Sequence, residues 1–237
     1  MKLKTVSNFS FISSLWFKIA IAAVWVGGIV LIAELLHRYT TTDPEKIRKV
    51  VHIGTGQVIL LAWWLAIPAW VGIAASILAS AIALLSYKFP ILPGINSVGR
   101  KSLGTFFYAL SIGILVAWFW QIQQPYYAAI GILVMTWGDG LAALIGQKYG
   151  KHLYKIGGIQ KSWEGSLTMA IVSFFVTSVI LFAVQGNSWQ IYFVSVTVAV
   201  VATALESFSK LGIDNLTVPI ASAALCFSLL QILPSSL

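Results

Sequence analysis

Eight apolar blocks run along this chain, at about residues 15–36, 50–66, 69–87, 104–121, 125–146, 165–185, 189–206 and 216–233, and the connections between them are alternately charged and bare. Each block is about 17–22 residues, the length a helix needs to cross a hydrocarbon core of about 30 Å. Helices are the expected spanning form, because lipid offers backbone amides and carbonyls no other hydrogen-bond partner. The first connection holds Arg38, Lys46, Arg48 and Lys49, and the third holds Lys88, Arg100 and Lys101. The fifth holds Lys148, Lys151, Lys155 and Lys161, and the seventh Lys210. Connections near Pro68, Gln123 and Gly186 carry no Lys or Arg. The bias of Lys and Arg toward the cytoplasmic side then places the charged connections there and both termini outside. Trp63, Trp64, Trp70, Trp118, Trp120, Tyr126, Tyr127, Trp189 and Tyr192 cluster at the bare ends, as expected of an outer aromatic belt. Lys2, Lys4 and Lys18 pull the other way, which long lysine stems accommodate by snorkelling. The expected fold is all-α: one polytopic membrane bundle over residues 1–237, with about eight transmembrane helices.

The chain is 59% hydrophobic and 9% charged, so its connections are too short to fold a separate soluble domain. The first apolar block is too long for a signal peptide, and no small-residue cleavage site follows it before Glu34. The single cysteine, Cys226, lies within the last block, which excludes disulfides and cysteine-based metal sites. A net charge of +8 would suit nucleic acid, but these basic residues flank spans and have no soluble surface to present them. Anionic lipid headgroups and phosphate-bearing ligands are the expected partners.

Orientation needs only Lys and Arg, so the acids need a different reason. Glu34, Asp139, Glu164, Glu206 and Asp214 all fall at or near the inner ends of spans. Carboxylates, bases and glycine turns at one membrane face suit a magnesium–nucleotide site, where Mg²⁺ takes one or two carboxylates and the bases neutralise phosphate. The densest stretch is WGDGLAALIGQKYGKHLYKIGGIQKSWEGS, from Trp137 to Ser166. Read as a helix, Asp139, Ala142, Gly146 and Gly150 share one face. A small-residue packing seam accounts for the glycines but not for the Asp above them. Lys161, Ser162 and Glu164 follow; Ser162 and Glu164 also fit a helix N-terminus, and Lys148 and Lys155 fit topology alone. His52 lies one helical turn past Arg48 and Lys49, where it could meet the same phosphates. His37 and His152 read as loop residues, and Glu206 as a span-end charge paired with Lys210 at i,i+4. There is no G-x-G-x-x-G or H-E-x-x-H, and the run from Gly94 has Arg100 where a Walker lysine would stand.

The pattern Gly138-Asp139, Ala142, Gly146, Gly150, then Lys161, Ser162, Glu164 and Gly165, resembles the CTP-dependent lipid-alcohol kinases, the dolichol and phytol kinases. RKVVHIGTG, with Arg48, Lys49, His52 and Gly54, is similar to that family's upstream RK-x-x-H motif. RKSLGTFFYAL from Arg100 and DNLTVP from Asp214 look closer to the phytol kinase branch, and the matches span about residues 48–219. Gln160 stands where dolichol kinases commonly carry a second base, so Lys151 or Arg100 would have to cover that phosphate.

The resemblance implies transfer of the γ-phosphoryl group of CTP to a bilayer-dissolved isoprenoid alcohol, phytol before geranylgeraniol or farnesol. It implies Asp139 and Glu164 as Mg²⁺ ligands and Asp214 as acceptor of the alcohol proton, with Asn215 positioning it. Arg48, Lys49, His52, Arg100, Lys101, Gly146, Gly150, Lys151, Lys161 and Ser162 are the implied nucleotide and phosphate contacts, all at the cytoplasmic face. A CDP-diacylglycerol synthase-like cytidylyltransferase shares the central pattern, but its HGG signature has no counterpart here. A small transporter would place ionisable residues at mid-bilayer, and most of these spans carry none.

Overall fold

A computed structural model describes residues 14–89 and 103–234. The helices are α1 (Leu15–Tyr39), α2 (Pro44–Gly56), α3 (Val58–Trp64), α4 (Ala69–Lys88), α5 (Gly104–Phe119) and α6 (Pro125–Leu133). A π-helical turn (Val134–Asp139) leads into α7 (Gly140–Tyr149). A hairpin of β1 (Leu153–Ile156) and β2 (Ile159–Ser162) precedes α8 (Trp163–Gln185), α9 (Trp189–Phe208) and α10 (Asp214–Ile232). The chain is a polytopic membrane bundle, all-α but for the hairpin. Among the described residues, six helices are long and apolar enough to cross a bilayer: α1, α4, the continuous rod Pro125–Tyr149, α8, α9 and α10.

The apolar blocks at 50–66 and 104–121 take different forms. Residues 104–119 form a shorter apolar helix, α5. The first of these blocks is split into α2 and α3 at Gln57. There Thr55 Oγ1 donates to the Val51 carbonyl and Gln57 Nε2 to the Ile53 carbonyl. Gly54 and Gly56 are weak helix formers, and both are needed for close packing. A Cβ at Gly54 would press on Ile29 of α1, and one at Gly56 on Thr136 and Tyr108.

The rod Pro125–Tyr149 is the axis of the bundle. Tyr127 to Met135 are all buried, packed with Leu115 and Phe119 of α5, Met169 and Leu181 of α8, Val194 and Val198 of α9, and Val218 and Cys226 of α10. Gly131 permits the closest approach, because a Cβ there would strike the Pro219 backbone of α10. The outward faces are apolar instead of polar: Trp16, Ile77, Phe175, Val179 and Val200 are each more than half exposed. With lipid as solvent, that face costs nothing to leave uncovered. The aromatic belt divides in two. Trp64, Trp70, Trp118, Trp189 and Tyr192 are exposed, whereas Tyr127 is buried and the Trp120 indole donates to the Ile67 carbonyl.

The hairpin forms within the charged connection expected between the blocks at 125–146 and 165–185. Gly157 and Gly158 form its two-residue turn with φ of +55° and +82°, the left-handed pair that tight hairpins favour. The register sets Tyr154 opposite Lys161 and Lys155 opposite Gln160.

Topology can be tested on exposed connections. In a Cys226→Ser background, Lys155→Cys on the hairpin should react with a thiol reagent from the cytoplasmic side. Asn187→Cys, between α8 and α9, should react from the opposite side alone. Labelling of both positions from one side would overturn the alternation of the connections.

Candidate active site

Residues from or flanking each charged connection line one cleft at one end of the bundle, with a volume of about 1080 Å³. Its walls are Glu45, Arg48 and Lys49 of α2, Tyr87 of α4, Gly104 and Thr105 of α5, and Asp139. They continue through Ala142, Ala143, Gly146 and Gln147 of α7, the hairpin from Gly157 to Ser162, and Gly165 and Ser166 of α8. Glu206 of α9, the turn Ser209–Gly212, and Asp214 and Asn215 of α10 complete it. The Leu103 amide donates to the Leu211 carbonyl, tying the start of α5 to that turn.

Asp139 ends the π-helical turn, and irregular turns of this kind frequently mark functional positions. Lys49 Nζ lies 2.5 Å from Asp139 Oδ2, and His52 Nε2 is 3.8 Å from the same oxygen. The Lys49 side chain is only 3% exposed. Lys49 is therefore committed to Asp139 as its countercharge, and an unpaired lysine at such depth would be costly. His52 packs behind Asp139 and does not line the cleft. Its ring lies 4.4 Å from that of Tyr108, whose hydroxyl is 2.7 Å from Thr136 Oγ1. The expectation that His52 shares a phosphate-facing surface with Arg48 and Lys49 gives way to a supporting position.

Arg48 makes a two-pronged pair with Glu45, at 3.1 Å and 2.5 Å, at the cleft wall. Lys161 on β2 forms an ion pair with Glu206 of α9. Burial alone would lower the Lys161 pKa; the Glu206 carboxylate more than offsets this and holds it above the ordinary lysine value. Asp214 and Lys210 line the cleft without an ion-pair partner among the described residues. Asn215 Nδ2 donates to Asp214 Oδ1 and to the Gly212 carbonyl, fixing the carboxylate's edge.

Glu164 lies elsewhere. Its carboxylate accepts from the His152 amide and pairs with His152 Nδ1 at 2.8 Å, outside the cleft lining. The structure does not bring it to Asp139, because Ser162 starts α8 and turns position 164 to the outer side of the first turn. Ser162 Oγ accepts from the Gly165 amide at 3.1 Å, so Ser162 is an N-cap as well as a cleft residue. Gly146 lines the cleft, while Gly150 serves packing: a Cβ there would press on Ser162. Lys151 and Lys155 are exposed and outside the lining. Arg100 and Lys101 lie outside the described residues.

Glu45, Glu206, Ser209 and Lys210 are cleft residues that the motif reading did not single out. The i,i+4 spacing pointed Glu206 at Lys210, but its partner is Lys161, 45 residues away. Among the described residues, no three His, Cys, Asp or Glu side chains gather as a metal cage. Mg²⁺ commonly needs only one or two carboxylates beside phosphates and water, which the cleft carboxylates fit. Lys49 and His52 both approach Oδ2 of Asp139, which leaves Oδ1 as the atom suited to a cation.

No family model and no solved structure matches this chain. It is similar to the phytol kinase of Synechocystis, with 55% identity covering 90% of this chain and 92% of that protein. Phytol kinase 1, chloroplastic, of Arabidopsis thaliana is 30% identical over 82% of this chain and 70% of its own length. Farnesol kinase, chloroplastic, of the same plant is 29% identical over 79% and 66%.

The Lys49–Asp139 pair should hold the bundle together as well as serve the site. Lys49→Met strands a buried carboxylate and should cost about 3–5 kcal/mol, read as a lowered unfolding temperature in detergent. Lys49→Met/Asp139→Asn should recover much of that stability and no activity. A single variant as stable as the parent would show that the pair carries no structural load.

Proposed function

Because the chain belongs to the phytol kinase family, we propose that its cleft transfers the γ-phosphoryl group of CTP to the hydroxyl of phytol. The observation that carries this reading is the cleft's charge arrangement. Among the described residues, its lining counts four bases, Arg48, Lys49, Lys161 and Lys210, and four acids, Glu45, Asp139, Glu206 and Asp214. Three of each are already paired to one another. A neutral cleft of this kind suits a triphosphate only together with a divalent cation, which is the chemistry of Mg²⁺-dependent phosphoryl transfer.

Asp139 would hold Mg²⁺ through Oδ1, with the phosphates supplying further oxygens. When bound, the cation would spread the charge that builds on the bridging oxygen of the leaving diphosphate. Lys161, Lys210 and Arg48 lie where they can meet the remaining phosphoryl oxygens. Asp214 takes the role of base: the alcohol oxygen forms its bond to the γ-phosphorus, the β–γ bridging bond breaks, and the hydroxyl proton passes to the Asp214 carboxylate. Such a reaction asks the protein mainly for alignment and charge neutralisation. The site stands at the ends of lipid-facing helices, on the face that the distribution of Lys and Arg assigns to the cytoplasm. An isoprenoid alcohol dissolved in the bilayer presents its hydroxyl at that depth, within reach of a water-borne nucleotide.

Two measurements test the reading. With CTP labelled at the γ-phosphate, label should move to phytol, and with α-label none should follow. The reverse would assign a cytidylyltransferase. Asp139→Asn, which keeps size and removes charge, should slow turnover about 10²-fold or more, roughly 3 kcal/mol of barrier. Lys155→Gln, on the outer side of the hairpin, should change little. A membrane-inserted, monodisperse and fully active Asp139→Asn protein would remove the metal site.

A further inference from the structure

We propose that Glu206 is a positioning residue that keeps Lys161 extended into the cleft and delivers it to the phosphoryl group of an entering triphosphate. The inference rests on the phosphotransfer reading of the cleft and adds to it the one buried carboxylate that reading leaves unused.

Glu206 sits in the last turn of α9 and is 5% exposed, yet it lines the cleft. Its partner comes from a different element, the second strand of the hairpin. Along β2, Ile159 and Lys161 are half-buried, whereas Gln160 is exposed at the cleft. Opposite Lys161, the Tyr154 hydroxyl bonds Ser166 of α8 at 2.5 Å and Ser207 of α9 at 3.1 Å. The hairpin is thus already fastened to both helices by neutral hydrogen bonds. An additional buried ion pair is a costly fastener, because two desolvated charges return little net stability. Its distinctive consequence is to fix the direction and protonation of an ammonium at the cleft wall.

Without Glu206, burial would favour neutral lysine and a retracted side chain. The other charged groups facing Lys161 are Asp139 from the π-helical turn and Asp214 from α10, with Lys210 in the adjoining turn. When a triphosphate enters, its oxygens compete with one carboxylate for an ammonium that is already oriented, and no rotamer search is needed. A phosphoryl group leaving with the alcohol returns Lys161 to Glu206.

The experiment compares the full-length protein in detergent with three variants, using whichever nucleoside triphosphate the parent accepts. An inactive parent would count against the phosphotransfer reading, and a difference among variants speaks only to Glu206. Glu206→Gln should lower kcat/KM for the nucleotide about tenfold or more, the scale of one hydrogen bond to a charged group. It should also move the alkaline limb of the pH profile to lower pH, because Lys161 then loses its proton more readily. The exchanged pair Lys161→Glu/Glu206→Lys keeps a fastener and should remain as impaired as Glu206→Gln or more so. Lys161→Arg stays charged without help and should extend the alkaline limb upward, which supplies the test if Glu206→Gln does not accumulate. A parental pH profile and KM in Glu206→Gln, an unchanged alkaline limb in Lys161→Arg, or recovery of activity by the exchanged pair would each overturn the proposal.

Discussion

An ionised side chain in lipid has no water to stabilise it, so a mostly apolar chain must gather its charges at one interface and neutralise those that sink below it. Lys49 and Asp139 show how deep that neutralisation goes. They join α2 to the π-helical turn within the central rod across 90 residues of sequence, and neither would be stable alone at that depth. The pair anchors the amphipathic α2 against the bundle, which brings Arg48 and Glu45 to the cleft wall. Lys161 and Glu206 repeat the arrangement on the opposite side and hold the hairpin to α9. The site and the packing of its walls therefore depend on the same contacts.

Hydropathy located the spans because lipid imposes one rule along the whole length of a helix. Long runs without charge, such as 165–185 and 189–206, correspond closely to α8 and α9. The same rule said little about local geometry. The split between α2 and α3 falls beside Gly54 and Gly56, and an apolar window averages such local weakness away. The hairpin did have a signal, LYKI and IQKS flanking a Gly-Gly pair, which a reading of that stretch as a charged connection passes over.

The site was legible in its inventory and much less so in its pairing. Asp139, Arg48, Lys49, Lys161, Asp214 and Asn215 stand together as the motif suggested. Glu164 stands apart because an N-cap at Ser162 fixes which way the first turn of α8 presents its side chains. The stripe Ala142, Gly146 and Gly150 is largely a packing seam: a Cβ at Gly165 would meet the Ala142 carbonyl at 3.0 Å, and one at Gly146 the Ser162 hydroxyl at 3.0 Å. Glu206 shows the reverse error, where a local i,i+4 partner was preferred to a distant one. Spacing along a helix reports which side chains can meet on that helix, and it carries nothing about a strand folded back from elsewhere.

Charge balance in the cleft bears on selectivity. If the cleft binds a nucleotide as proposed, a strongly basic pocket at a membrane surface would attract every anionic headgroup and compete poorly for that dilute ligand. Among the described residues the charges lining this cleft balance, and three of the four bases are already engaged by carboxylates. A ligand gains by displacing those carboxylates only if it presents several oxygens at matched positions and brings its own cation for Asp139. A lone headgroup phosphate satisfies neither condition, whereas a magnesium–triphosphate satisfies both. On the proposed phosphotransfer reading, the acids that first looked out of place would discriminate between two phosphate sources that share one interface.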